Sequence, residues 1–358
     1  MKPADQKLPL LPRRGRTLSI MPTFTCPAAC TDCRTLSSPR ERAHLDLATV
    51  LAAIDEAREL DFCNVVFTGG EATLEWTTLL QGIQRAASYH FPVRLVTNAH
   101  WATSASVAHE KLAALIAAGL SEINYSTGDE HIRFVPLERV AHACVAACRL
   151  HLRTHVMMEL KEARSITPES LEQHPLITAL PLAERAYLTV LSSPWMPLNH
   201  TTTYRYPEGV ACDVQAAAMR GGCTSVLRTY TLQADGRVGA CCGLGLRVIP
   251  ELNVSTTDMP QCLHQAISAS EEDFLKLWIH YQGPAKVVAW AAQYNPAIRW
   301  EGMYAHQCQM CQRLYHDDAI RAVIASHWQE MIAEVLQAAW LDDVHIPATL
   351  SQIQRETA

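Results

Sequence analysis

The chain has 358 residues, 49% of them hydrophobic, and sets 30 Lys and Arg against 36 Asp and Glu for a formal net charge of −6. That size and apolar content suffice for two domains, or for one large core with an appendage, and exclude a disordered chain. The acidic balance, spread without blocks, argues against a protein built to grip a phosphate backbone, and no apolar run reaches the roughly 18 residues of a membrane span. Met1 to Arg16 is proline-rich and basic at Arg13 and Arg14, unlike a secretory core, so a cytoplasmic protein is expected. Thirteen cysteines, an odd number gathered at short spacings, favour metal ligands and reduced thiols over a disulfide framework.

In chain order, short β-branched runs predict strands at Thr17–Met21, Asn64–Thr68, Val93–Thr97, Glu122–Ser126, Arg153–Glu159 and Ala186–Leu191. Helical stretches separate them. Asp46 is a candidate cap for a helix whose Leu47, Val50, Leu51, Ile54 and Leu60 share one face. A second helix spans about Trp76–Tyr89, a third ends at Ala118 with Gly119 as its cap, a fourth follows Pro136 and a fifth follows Pro168. Six such units are too few for a closed eight-stranded barrel, which leaves an open six-stranded barrel or a doubly wound sheet. From Asn199 the texture changes. Arg228–Leu232 and Arg237–Cys241 flank the hairpin signal Asp235-Gly236, and the rest is helical, closing with one long helix over Asp318–Trp340.

Two cysteine constellations stand out. Cys26, Cys30 and Cys33 follow the first strand in the spacing C-x3-C-x2-C, where the loops of an α/β barrel carry function. Three thiolates this close can converge on one iron-sulfur cube with one iron left open; a zinc knuckle is the alternative, and no fourth Cys or His follows within ten residues. The second set is Cys223, Cys241 and the pair Cys308-Gln-Met-Cys311. The hairpin brings Cys223 and Cys241 together, and the pair is a tight clip, so the four can form one site of either iron-sulfur or zinc. Cys242 or Cys212 could replace a member. Alternation along a strand makes only one of Cys241 and Cys242 a ligand. Cys63, Cys144, Cys148 and Cys262 read as small buried thiols.

The first motif, with Thr68-Gly69-Gly70-Glu71 after the second strand, Thr97-Asn98 after the third and Ser126-Thr127-Gly128-Asp129-Glu130-His131 after the fourth, resembles the radical S-adenosylmethionine enzymes. The resemblance implies a partial (β/α)6 barrel with a catalytic 4Fe-4S cluster on Cys26, Cys30 and Cys33. It implies that Gly69, Gly70, Glu71, Asn98 and Ser126 bind S-adenosyl-L-methionine, with the Glu71 carboxylate at the methionyl amino group. Asp32 departs from the family, which usually has an aromatic residue there, and no fifth-strand glycine-rich adenine motif is evident. The second constellation resembles the auxiliary-cluster region of many family members, in the short twitch form rather than the longer SPASM form, because no cysteine follows Cys311 closely. The expected division is an extension at 1–16, the barrel at 17–198, a C-terminal auxiliary-cluster domain built on a β-hairpin and helices at 199–346, and a tail at 347–358.

Asp129, Glu130 and Glu159 are the candidate catalytic groups at the mouth, although Asp129 equally fits a ribose ligand or a turn. His100, His131, Ser192, Ser193 and Trp195 lie near the same rim. The resemblance implies hydrogen abstraction by a 5′-deoxyadenosyl radical, with the auxiliary 4Fe-4S cluster as electron acceptor for an oxidative outcome, a cross-link or dehydrogenation. A peptide or amino-acid side chain is the expected substrate; a small molecule such as an amino sugar is the alternative, and a non-catalytic iron-sulfur or zinc protein is the bland one. Flavodoxin or ferredoxin would donate the electron. The roughly 25 residues before Cys26 are too few for a peptide-recognition domain, so a separate peptide carrier is a further expected partner.

Overall fold

The computed structural model describes residues 15–342 of the chain. The expected tail at 347–358 and all but the last two residues of the expected extension lie outside the described residues. The chain runs β1 (Thr17–Ile20), α1 (Leu47–Glu59), β2 (Asn64–Phe67), α2 (Trp76–Ser88), β3 (Val93–Thr97), α3 (Ala105–Ala118), β4 (Glu122–Thr127), α4 (Leu137–Arg149) and β5 (Arg153–Leu160). Three short helices, α5 (Pro168–Glu172), α6 (Pro175–Thr178) and α7 (Leu182–Arg185), lead to β6 (Leu188–Pro194).

Strands β1 to β6 pair in parallel in sequence order, each joined to the next through helix, and make the partial barrel. Their buried positions are β-branched, aliphatic or aromatic. Leu18, Ile20, Val65, Phe67, Leu95 and Tyr125 are fully inaccessible because helices cover the outer face. The expected signals stand where they were read. The Asp46 carboxylate accepts the Thr49 N–H at 2.7 Å to start α1, and Gly119, at φ 111°, turns the chain out of α3. The single helix expected after Pro168 is instead three short pieces, because Pro175 and Pro181 each restart the chain.

Beyond β6 come α8 (Val214–Met219), then β7 (Thr229–Leu232) and β8 (Arg237–Gly239), joined by the expected Asp235-Gly236 turn, and β9 (Asn253–Thr256). β7 lies parallel to β1 on the edge that β2 leaves free, with Thr17 opposite Thr229, while β8 and β9 continue antiparallel. The hairpin thus extends the barrel's own sheet to nine strands in the order β6-β5-β4-β3-β2-β1-β7-β8-β9. Then α9 (Cys262–Glu271) packs near α1, and α10 (Phe274–Gln282), α11 (Pro284–Tyr294), α12 (Gln307–His316) and α13 (Asp318–His327) build a second apolar cluster around Trp278, Tyr304, Met310 and Leu314.

The long closing helix expected over Asp318–Trp340 is interrupted. α13 stops at His327, a 3-10 turn covers Trp328–Met331, and helix resumes over 332–342. Tertiary contacts hold the break. Tyr294 stacks on His327 with centroids 4.2 Å apart and its hydroxyl donates to Glu330, while Trp328 packs on Phe274 at 5.2 Å. No helix among the described residues is long and apolar enough to cross a membrane.

Candidate functional site

At the carboxyl ends of β1 to β6 lies a cavity of about 250 Å³. Cys26, Cys30 and Cys33 line one wall, and Gly69, Gly70, Asn98, Ser126 and Glu159 come to it from the loops or ends of β2, β3, β4 and β5. Eight of the residues singled out in the sequence therefore meet in one place. Parallel strands explain this: every β-to-α loop emerges on the same side of the sheet. The Asn98 amide donates to Cys26 Sγ at 3.4 Å, and the Cys30 thiol donates to the Glu130 carbonyl at 3.8 Å.

The Gly69-Gly70 turn is shaped by close approach. Its strand continues alongside the chain entering Cys26, with the Gly70 N–H donating to Thr23 O and the Glu71 N–H to Thr25 O, both at 2.9 Å. A Cβ at Gly70 would stand 2.3 Å from Thr25 O, and Gly69 has φ 118°, so only glycine passes here. Glu71 departs from the role the resemblance implies. Its carboxylate is 1% exposed and off the cavity wall. One oxygen accepts from the hydroxyls of Thr73 at 2.6 Å and Thr97 at 2.7 Å, and the other accepts the Asn98 N–H at 2.9 Å. The carboxylate pins the β2 loop to the β3 loop, because a buried anion is stable only when its lone pairs are filled.

Of the candidate acids, only Glu159 faces the cavity. Its carboxylate accepts the N–H groups of Glu130 at 2.9 Å and His131 at 3.1 Å and meets His131 Nδ1 at 2.5 Å. His131 also lines the cavity, edge-on to Trp195 with centroids 5.7 Å apart. Asp129 instead accepts the N–H groups of Ser165 and Ile166 and shapes the loop after β5. Glu130 pairs with Arg133 at 2.8 Å and Lys161 at 3.1 Å; burial opposes its ionisation, but these partners hold it below the usual carboxylate range. Neither Asp129 nor Glu130 lines the cavity. Consecutive acids at a loop give no sequence signal for which one turns inward.

A second cavity of about 150 Å³ collects Cys223, Cys241, Cys242, Cys308 and Cys311. Cys308 and Cys311 occupy one face of the first turn of α12, three residues apart. β8 ends at Gly239, so Cys241 and Cys242 lie in a bend beyond it, and strand alternation does not separate them as expected; both reach the cavity. A hydrogen bond from Cys241 pulls the Cys242 thiol down to about 6 and lifts its partner. Cys212 is buried outside this cavity, bonded through its backbone to Gly302 and Tyr304. His306, unremarked in the sequence, lines it as well; burial pushes its imidazole down to about 4. Cys144, Cys148 and Cys262 are buried as expected, whereas Cys63 is exposed, its thiol donating to Arg16 O at 3.2 Å.

The two cavities are tied together by residues that spacing did not reveal. Asp32 has φ 59° and accepts the Leu198 N–H at 3.0 Å and the Tyr204 hydroxyl at 2.5 Å. The Trp195 indole donates to Thr31 O at 3.2 Å. Arg34 donates to Gln312 Oε1, next to Cys311, at 2.6 Å, and to the carbonyls of Pro197 and Leu244, each at 3.1 Å. Leu244 lines both cavities.

The donor sets fit iron-sulfur clusters. Among the described residues, no three His, Cys, Asp or Glu side chains gather tightly enough for a single ion. Soft thiols lining a cavity are the donor type that an iron-sulfur cluster uses, each binding a different iron. Burial pushes Cys26 up to about 12 and Cys30 higher still, with like charge adding to it, from Glu71 and then Cys33 at Cys26 and from the neighbouring cysteines at Cys30.

An open α/β barrel with its cysteine loop on β1 and a thiol-rich annex beside it is the class of architecture present. No protein-family model matches the chain, and no curated protein matches it in sequence. Among solved structures, native anSMEcpe with bound AdoMet and Cp18Cys peptide matches over 90% of this chain and 98% of that one, with a TM-score of 0.53 at 12% identity. This chain shares its fold. Streptococcus suis SuiB is also matched: bound to S-adenosylmethionine, at 13% identity and a TM-score of 0.36 over 64% of this chain and 61% of that one; bound to precursor peptide SuiA, at 13% and 0.37 over 65% and 61%.

Proposed function

We propose that this chain is a radical S-adenosylmethionine enzyme that oxidatively modifies a peptide side chain. The observation that carries the reading is the meeting of Cys26, Cys30 and Cys33 with Gly69, Gly70, Asn98 and Ser126 around one cavity. A solved protein of the same fold contains both AdoMet and a peptide, which supports the substrate class. A 4Fe-4S cluster and S-adenosylmethionine bound there would supply one-electron radical chemistry.

The chain's own residues do the rest. Cys26, Cys30 and Cys33 hold the cluster, and the Asn98 amide, already bonded to Cys26, steadies one thiolate. The bare backbone of Gly69-Gly70 would leave room for the methionyl end of the cofactor, and Ser126, on the same cavity, would meet its adenosyl portion. Glu71 acts by holding the β2 and β3 loops in register. His131, oriented by Glu159 and screened by Trp195, receives the proton released as the substrate is oxidised. Cys223, Cys241 or Cys242, Cys308 and Cys311 would hold an auxiliary cluster, whose chemistry would be that of an electron acceptor.

The test is anaerobic reconstitution followed by iron, sulfide and zinc analysis and a dithionite-driven assay for 5′-deoxyadenosine. About eight irons per chain and loss of cleavage in Cys30→Ala are expected. Retained 5′-deoxyadenosine formation in that variant would overturn the catalytic assignment. About four irons with one zinc would reduce the second site to a structural clip.

A further inference from the structure

Arg34 directly follows the last cysteine of the first site and lines the first cavity, yet its guanidinium is held by segments that carry cysteines of the second. It is 5% exposed. Three acceptors from three separate segments fix it: Leu244 O and Pro197 O at 3.1 Å each, and Gln312 Oε1 at 2.6 Å. Two of these holders belong to the ligand segments themselves, since Leu244 lies two residues past Cys242 and Gln312 follows Cys311. Its remaining nitrogen, Nη2, is buried without a hydrogen-bond partner among the described residues. A buried cation needs countercharge, or its desolvation costs several kcal/mol. Every group bonded to this one is a neutral carbonyl or amide oxygen.

We propose that Arg34 is the built-in countercharge of the second cysteine site and raises the reduction potential of the cluster held there. The inference rests on the reading of that site as an iron-sulfur centre. One-electron reduction adds a negative charge to a cluster already surrounded by thiolates. A fixed cation beside it stabilises the reduced form more than the oxidised one, and low polarity magnifies the difference. Arg34 thereby makes the auxiliary site a better electron acceptor. Because Arg34 stands on the wall of the first cavity and Leu244, which holds it, lines both, that acceptor is set against the cavity where the electron is released.

The test uses the full chain in a Cys26→Ala/Cys30→Ala/Cys33→Ala background, so that only the second site loads, with dithionite titration followed by electron paramagnetic resonance. Arg34→Gln is expected to shift the reduced-to-oxidised ratio about tenfold toward oxidised, equal to about 59 mV for one electron, with iron content unchanged. Arg34→Lys, which keeps the charge, is expected to stay near the parent. Gln312→Glu, which sets a carboxylate against an intact Arg34, is expected to lower the potential too and covers the case in which Arg34→Gln fails to fold. Parental potentials in the loaded Arg34→Gln and Gln312→Glu proteins would overturn the proposal, as would an equal fall in Arg34→Lys. A background protein that takes up no iron-sulfur cluster would overturn the reading beneath it, before any Arg34 variant is made.

Discussion

Glu71 and Thr97 are joined across the carboxyl ends of β2 and β3 by a 2.7 Å hydrogen bond between two buried side chains. With the Thr73 and Asn98 bonds, it fills a carboxylate that the resemblance would have placed on the cofactor. Glu71→Gln replaces one acceptor by an NH2 donor that would face the Asn98 N–H or a hydroxyl. The expected cost is about 1.5–3 kcal/mol, read from urea unfolding of the apo protein, with weaker S-adenosylmethionine binding and unchanged iron content. A wild-type unfolding midpoint with binding lost would put the carboxylate on the cofactor instead.

Asp32 anchors the cysteine loop to the segment after β6 through Leu198 and Tyr204. Asp32→Ala strands a backbone donor and forces a left-handed residue without a local polar partner, at an expected cost of about 1–3 kcal/mol. Asp32→Asn keeps an acceptor and tolerates φ 59°, so it should lose much less. Thermal unfolding of the two variants compares them; equal losses would mean that the charge, not the acceptor, is what matters.

Gly128, at φ 136°, lies over Glu159 so closely that a Cβ would stand 2.7 Å from three of its side-chain carbons. Gly128→Ala should destabilise by about 1–3 kcal/mol through backbone strain and this clash. In a Glu159→Gly background all three carbons are gone and only the strain remains, so the same change should cost less. Additive losses in the double-mutant cycle would contradict the contact.

His100 titrates below the ordinary imidazole range. Burial lowers it, the Glu71 carboxylate opposes that, and Arg139 and Lys111 lower it further. An imidazole depressed in the folded state takes up its proton in the unfolded chain first, so stability should fall as pH drops below about 6.5. Urea midpoints of the apo protein at pH 7.5 and 5.5 should show this fall, and His100→Gln should have the smaller pH dependence. An identical slope in both proteins would remove His100 as a contributor.

Much was legible in the chain because it is local. Period-two and period-3.6 patterns, Asp46, Gly119 and the Asp235-Gly236 turn specify the strands, helices and ends that are observed, since each depends on a few neighbouring residues. The cysteine spacings are equally local, and parallel strands carry their loops to one side whatever else happens. The break at Trp328 was not legible, because Tyr294 and Phe274, remote in sequence, hold it. Nor was the joining of β7 to β1, since any strand with a free edge is a possible partner.

The sequence by itself determined that Cys26, Cys30, Cys33, Gly69, Gly70, Asn98 and Ser126 would share one rim. Only the tertiary structure decided the rest. It turned Glu159 inward and Asp129 and Glu130 away, took Glu71 into the loop scaffold, left Cys212 aside, and set Arg34 between the two cysteine cavities. The physical reason is range: strand periodicity and turn chemistry act over a few residues. The partner of a buried charge is chosen by whatever the fold brings within 3 Å, here Gln312 for Arg34, 278 residues further along the chain.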